Sequence, residues 1–444
     1  MIESGMSIGE SLSTGISRFR QVAEGYPDNW LVWMDYGDKL VHNGPLLGIS
    51  QEVARAALRR ALELNPRLIP AWEHLTWVDL NLFDTVNVAA ALDTLARLDK
   101  AAKLTEGQNG QDEMLQARFL SGLQRGASST SRFRDSVARE VGEQGWFGPV
   151  APLFYGFAGA QLEIDRRAVE LGVEPGRAAK LLWDMAWSWA ARGAWDSALA
   201  VVDRHVRSST GIDPSAPLSA YRMAVLAAWA DASSPTEADR RRRTASLAVA
   251  QLGKGPQAEM AWLDGLLAFT REDRQALSAA RNAVEGIDHP AAPIITRTFG
   301  ALSRLLAGSR GEAAESLATL QWQQTERVYR DIWEVPSLLP VGRLLAARWI
   351  LAEGDSTQAL RLLAWNRAFF QHSGTLITGM LSALITLERA RIEEAIGEVR
   401  QARVDYQWFL RAYDQPVAQH RHLVDEAHAA LKRLSGQQDL PAQR

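Results

Sequence analysis

The chain has 444 residues, 47% of them apolar and 23% charged, with 49 basic and 52 acidic side chains and a net charge of −3. That balance supplies a core and excludes a polyanion binder held by overall charge. The absence of cysteine excludes disulfides, thiolate catalysis and cysteine-based zinc sites. No apolar run reaches the roughly 18 residues of a membrane span. Polar and charged residues interrupt Met1 to Arg20, where a secretory signal would be apolar, so the expected location is cytoplasmic.

In chain order, nearly every segment predicts helix. Apolar residues recur at i, i+3, i+4 and i+7, as from Trp183 to Ala191 and from Leu381 to Ile392. The breaks are short clusters of Gly, Pro, Ser and Asp, such as Gly126 to Thr130, Ser208 to Pro217, Gly253 to Pro256 and Asp414 to Pro416. Each stops a helix without forming a long tether. Paired helices recur along the chain. The first pair has Trp33, Tyr36, Gly37 and Leu40, then Ala54, Leu58, Ala61 and Pro66. The next has Trp72 and Leu75, then Ala91, Leu95 and Leu98. Later pairs hold Leu182, Trp189, Gly193 and Trp195; Met260, Leu263, Ala276 and Ala280; and Ala346, Ile350, Gly354 and Ala359.

These units resemble the tetratricopeptide repeat: large residue, small residue and aromatic on the first helix, then Ala, a large apolar residue, Ala and Pro on the second. Small residues let the two helices approach, and large ones fill the space between hairpins. The fold class expected is all-α, with tetratricopeptide-type hairpins stacked into one right-handed solenoid over residues 1–434. The best repeats are 30–66, 69–100, 179–207, 257–285, 340–367 and 383–413, followed by a disordered tail at 435–444.

Two stretches carry a closer resemblance. Pro27 to Gly48 contains GPLLG and is followed by ALRRALELNP; Leu387 to Gln415 reads LERARIEEAIGEVRQARVDYQWFLRAYDQ. Both resemble the repeat region that follows the kinase domain in bacterial serine/threonine kinases, with related regions in bacterial cyclases and transcriptional activators. The sequence has no glycine-rich phosphate loop, HRD-type catalytic loop or DFG, so no kinase chemistry is expected. The resemblance implies a sensory or docking module in bacterial signalling, stand-alone or cut from a kinase-like parent. A first helix at residues 1–12 packed on 16–25 would weaken the idea of a cut.

Mapping the repeat onto the chain puts Met34, Asp38, Glu73, Trp77, Lys180, Trp183, Trp187 and Arg348 on first helices facing a concave groove. Aromatic anchors with a few mixed charges suit capture of another protein or a peptide. The competing reading for the tryptophans is packing between hairpins, which is favoured for Trp33, Trp189 and Trp195. The run Arg240 to Arg243 spans all sides of a helix, so the expectation is a solvated face; nucleic-acid binding is the minority reading. His420 to His428 reads HRHLVDEAH, with His422 and Glu426 at i, i+4, but the stretch fits an ordinary terminal helix and no metal ligand is assigned. The carboxylates show no acid/base spacing, and no nucleophile triad emerges. The sequence therefore points to a noncatalytic scaffold without cofactor. The alternatives are a helical glycan-active or glycan-binding protein and a nucleic-acid-associated regulator.

Overall fold

The computed structural model describes residues 12–44, 49–82, 84–102, 108–126, 131–144, 152–209, 213–319, 335–363 and 374–435. Expectations for Met1 to Ser11, for Pro45 to Gly48 of GPLLG, for 364–367 of the fifth repeat and for the tail from 436 lie outside the described residues. Among the described residues the chain is all-helical. The helices run α1 (Leu12–Gly25), α2 (Trp30–Asn43), α3 (Gln51–Leu64), α4 (Ile69–Asn81), α5 (Thr85–Ala102), α6 (Gln108–Gln124), α7 (Ser131–Gln144), α8 (Ala158–Glu170), α9 (Pro175–Ala191), α10 (Trp195–Ser208) and α11 (Ala216–Trp229). They continue with α12 (Pro235–Val249), α13 (Lys254–Thr270), α14 (Arg274–Glu285), α15 (Ala292–Ala307), α16 (Arg310–Thr319), α17 (Leu338–Ala352), α18 (Ser356–Leu363), α19 (Gly374–Ala395), α20 (Val399–Ala412) and α21 (Arg421–Leu434). Short 3-10 turns lie at Pro152–Tyr155 and Ala418–His420.

Two compact units emerge, one up to Leu181 and one from Leu182 onward, apart from Gly374 and Thr375, which cluster with the first. Each is built from tetratricopeptide-type hairpins. In the first, α2 packs on α3, α3 on α4 and α4 on α5, while the first helices of successive hairpins also meet, α2 with α4 and α4 with α6. The second repeats the scheme, α11 touching α12 and α13, and α13 touching α14 and α15.

Local sequence explains the ends. Asn29, Ser50, Ser234 and Asp273 each accept a backbone N–H of the helix they precede, satisfying a donor with no intrahelical partner. A bond is repeated between the first two hairpins. The indole of Trp33 donates to the Pro27 carbonyl at 3.0 Å, and that of Trp72 donates to the Pro66 carbonyl at 2.9 Å. In both cases a tryptophan pins its helix to the turn before it.

The second unit separates inner from outer helices by composition. In α17 every residue from Leu338 to Ala347 is buried, and α11 and α13 are nearly as enclosed. By contrast α14 buries only Leu277, Ala280 and Val284. Helices apolar on all sides fill an interior, whereas a narrow stripe leaves one face to water. Trp262 lies at the centre, 0% exposed. Its ring stacks on Phe299 at 5.6 Å between centroids, and its indole donates to Ser337 Oγ at 3.1 Å. Gly265 makes this possible, because a Cβ there would come within 2.1 Å of the Phe299 ring.

The first hairpin of this unit is also tied to its last. Gly193, at φ +85°, turns the chain so that Gln415 N–H donates to the Arg192 carbonyl and Val417 N–H to the Gly193 carbonyl; glycine alone adopts that conformation without strain. Arg192 grips Asp414 through two bonds of 2.7 and 2.8 Å.

Candidate functional site

The expected groove residues fall in both units and are described within each. In the first, Met34 and Trp77 are buried and join the core with Tyr36, Leu40 and Leu75. Glu73 and Asp38 are half-buried, and Lys180 is exposed. Burial pushes the Glu73 carboxyl above its ordinary range, His74 opposing in part.

Asp38 has a setting that repeat mapping did not anticipate. It lies on α2 one turn before His42, and both meet His74 of α4. His42 Nε2 is 3.3 Å from Asp38 Oδ1, His74 Nε2 is 3.0 Å from the same oxygen, and the two imidazole nitrogens are 3.2 Å apart. Lys39 Nζ is 3.4 Å from the other carboxylate oxygen. His74 Nδ1 donates to the Pro70 carbonyl at 2.8 Å, which aims Nε2 at the cluster. Trp77 backs the group, its ring centroid 4.6 Å from His74 and 6.2 Å from His42. Burial acts to raise the Asp38 carboxyl, but the bonds and charges of His42 and His74 outweigh it and hold the group well below the carboxylate range. The spacing of Asp38 and His42 was a readable signal; His74, a hairpin away, was joined to them only by folding.

In the second unit, Trp183 and Trp187 of α9 are half-buried, with ring centroids 5.9 Å apart. Trp183 also lies 4.7 Å from the buried His205 ring. Arg348 is exposed and borders a pocket of roughly 210 Å³. The pocket has an apolar lining of Leu344, Leu384 and Leu387 and an aromatic wall at Trp229. The Arg348 guanidinium lies 5.8 Å over the Trp229 ring and 2.7 Å from Glu388. Arg391 bridges Glu388 and Glu426, reaching Glu426 at 2.6 and 2.7 Å, and these partners strengthen its hold on its proton. Trp229, Glu388 and Arg391 escaped the sequence reading because α11, α17 and α19 meet only through stacking.

Beneath the pocket runs a directed chain of hydrogen bonds. Trp195 Nε1–H donates to the Tyr413 hydroxyl at 3.1 Å, which donates to His420 Nδ1 at 2.6 Å; His420 Nε2–H donates to the Ala230 carbonyl at 2.7 Å. The Ala230 carbonyl only accepts, so Nε2 carries a proton and a neutral imidazole presents Nδ1 as the acceptor for the tyrosine hydroxyl. Burial lowers the basicity of His420 accordingly.

Of the remaining sequence candidates, Arg240, Arg241, Arg242, His422 and Glu426 have internal partners. Arg240 and Arg241 pair with Asp203 and Glu237, and Arg242 grips Asp264 at 2.6 and 2.8 Å. Glu426 accepts Arg391, and His422 Nδ1 donates to the Gln419 carbonyl at 2.7 Å.

No family model matches the sequence, and no curated protein matches it. Among solved structures the chain is similar to yeast Tom70, at 12% identity over 96% of this chain and 94% of that one with a TM-score of 0.36. It is also similar to the TPR domain of P58(IPK), at 13% identity over 96% and 95% with a TM-score of 0.22. A third is a circular tandem repeat protein, at 11% identity over 96% and 93% with a TM-score of 0.19.

Proposed function

We propose that the protein is a noncatalytic scaffold that captures a segment of another protein, with the Trp229–Arg348 pocket as the anchoring point. The observation that carries this reading is the pairing of an apolar floor with a charged rim. Leu344, Leu384 and Leu387 offer desolvation, Trp229 offers a half-buried ring, and Arg348, Glu388 and Arg391 offer mixed charge at the edge. Anchors of this type concentrate binding energy in a few residues. The mixed rim sets register, so salt should alter affinity modestly. Trp183 and Trp187 supply a second apolar surface of the same unit, and in the first unit Glu73 and Lys180 remain as proposed contacts. The resemblance of the two end segments to repeat regions of bacterial kinases supports a sensory or docking role in bacterial signalling.

The test is selection of binding peptides from a random displayed library against the full chain. Selected peptides should bind wild type and lose about tenfold in affinity, near 1.4 kcal/mol, with Arg348→Ala, while the circular dichroism of the variant stays unchanged. Peptides indifferent to Arg348→Ala and to Trp229→Ala would remove the pocket as the anchor.

A further inference from the structure

Three side-chain atoms from two successive hairpins converge in the first unit. Asp38 Oδ1, His42 Nε2 and His74 Nε2 form a nearly equilateral triangle with sides of 3.0, 3.2 and 3.3 Å. They are the atoms of a possible metal-ligand set. We propose that Asp38, His42 and His74 bind a divalent transition-metal ion, zinc in first place, and so clamp α2 to α4.

The triangle has the right size. Tetrahedral zinc with bonds of about 2.0–2.1 Å to nitrogen and oxygen separates its ligand atoms by about 3.3 Å. A point about 2 Å from all three atoms therefore exists just off their plane. Chemistry also asks for a cation. The Nδ1–H of His74 is committed to the Pro70 carbonyl, so in the neutral ring Nε2 is a lone pair. It faces a carboxylate oxygen at 3.0 Å. Two acceptors at that separation need a proton or a metal ion between them. The nitrogen–nitrogen–oxygen set is typical of zinc and its neighbours in the first transition row, and a hard cation such as magnesium or calcium would favour oxygen ligands.

The surroundings are those of a supported site. The Pro70 carbonyl orients His74, and Lys39 holds the second Asp38 oxygen, the kind of outer contact that fixes ligand geometry. Trp77 walls one side. The side chains of His74, His42 and Asp38 are 12, 21 and 28% exposed, which leaves the fourth position to water or to an exchangeable ligand. The site uses no residue of the Trp229–Arg348 pocket and stands independently of the scaffold reading.

The test uses the tag-free full chain, stripped with chelator and titrated with cobalt(II), then with zinc as competitor. Wild type should bind one cobalt per chain with the intense visible absorption of a four-coordinate ion, quench part of the tryptophan fluorescence through Trp77, and release cobalt to zinc. His42→Ala and His74→Ala should each weaken binding by about 100-fold or more, Asp38→Asn should weaken it too, and His422→Ala should leave it unchanged. Zinc should raise the melting temperature of wild type and of His422→Ala alone among these proteins, because it binds only the folded cluster. If the histidine variants do not fold, Asp38→Asn and the wild-type spectrum decide. The proposal is overturned by an absence of saturable binding at micromolar cobalt, by a weak octahedral spectrum, by binding that survives His74→Ala or Asp38→Asn, or by an imidazolium NMR signature for His74 that persists with zinc present.

Discussion

The two units hold themselves together over different distances along the chain. In the first, polar ties join neighbouring hairpins. Arg55 of α3 reaches Asp79 of α4 at 2.7 Å and also contacts Asp84, and the Asp38–His42–His74 cluster links α2 to α4. In the second, Arg192 meets Asp414, Trp195 meets Tyr413, and His420 meets the carbonyl of Ala230. A solenoid in which each repeat touches only its neighbours can fray from an end. A unit whose first hairpin is fastened to its last has no free end to fray. Among the described residues, the polar ties named in the first unit join neighbouring hairpins and those in the second join its first hairpin to its last, and both sets lie in a few polar residues outside the repeat pattern.

The hardest blow to the second unit is Trp262→Ala. It empties a site that is 0% exposed and strips Phe299 and Ser337 of their partner, at a cost of about 3–5 kcal/mol. Hydrogen exchange should then show protection lost across α11 to α20 together. The counterpart in the first unit is Arg55→Ala. It leaves the fully buried Asp79 without its cation, a loss of about 3 kcal/mol, and exchange should rise locally over α3 to α5. A loss of protection confined to α13 in the first variant would break the contrast. Smaller again is Tyr413→Phe, which takes the hydroxyl from between Trp195 and His420 and should lower the urea-derived stability by about 1–2 kcal/mol. Its diagnostic is cooperativity, since early fraying of α10 and α21 should replace a single transition.

The mildest probe is pH. Burial makes His420 a weaker base than in the unfolded chain, with His422 reinforcing the effect and the Ala230 carbonyl and Asp231 opposing it. An unfolded histidine takes its proton near pH 6.5. The folded one does so only at lower pH, so its contribution is full above about pH 6.5 and is lost as pH falls below that value. The melting temperature of wild type should drop between about pH 6.5 and 5, and His420→Gln should flatten that slope. An identical slope in both proteins would assign acid sensitivity elsewhere.

Much of this architecture was legible in the sequence. Periodicity announced the helices, and the small residue at Gly37 marked the close approach of α2 to Leu58 of α3, whereas Gly193 meets Tyr413 and Pro416 from the far end of the sequence and not its own hairpin. Trp195 was read as packing and is fully buried. The polar clusters were not legible, and the reason is physical. Their members come from helices brought together by stacking, with His74 a hairpin beyond Asp38 and Tyr413 some 218 residues beyond Trp195. Repeat mapping assigns a residue to a face; it does not say which other face arrives opposite. Asp38 was read as a groove charge for that reason, and its histidine partners were overlooked.

The clasp between Arg192 and Asp414 spans 222 residues, which bears on how the molecule is made. Closing so long a loop costs about 1.5 kcal/mol more in chain entropy than the 39-residue step from Trp30 of α2 to Ile69 of α4. At synthesis rates of about 5–20 residues per second, α10 would emerge on the order of 10–40 s before its partner loop. For that interval Trp195 and the turn at Gly193 lack their final cover, so the nascent second unit carries a sticky leading edge until translation delivers Tyr413.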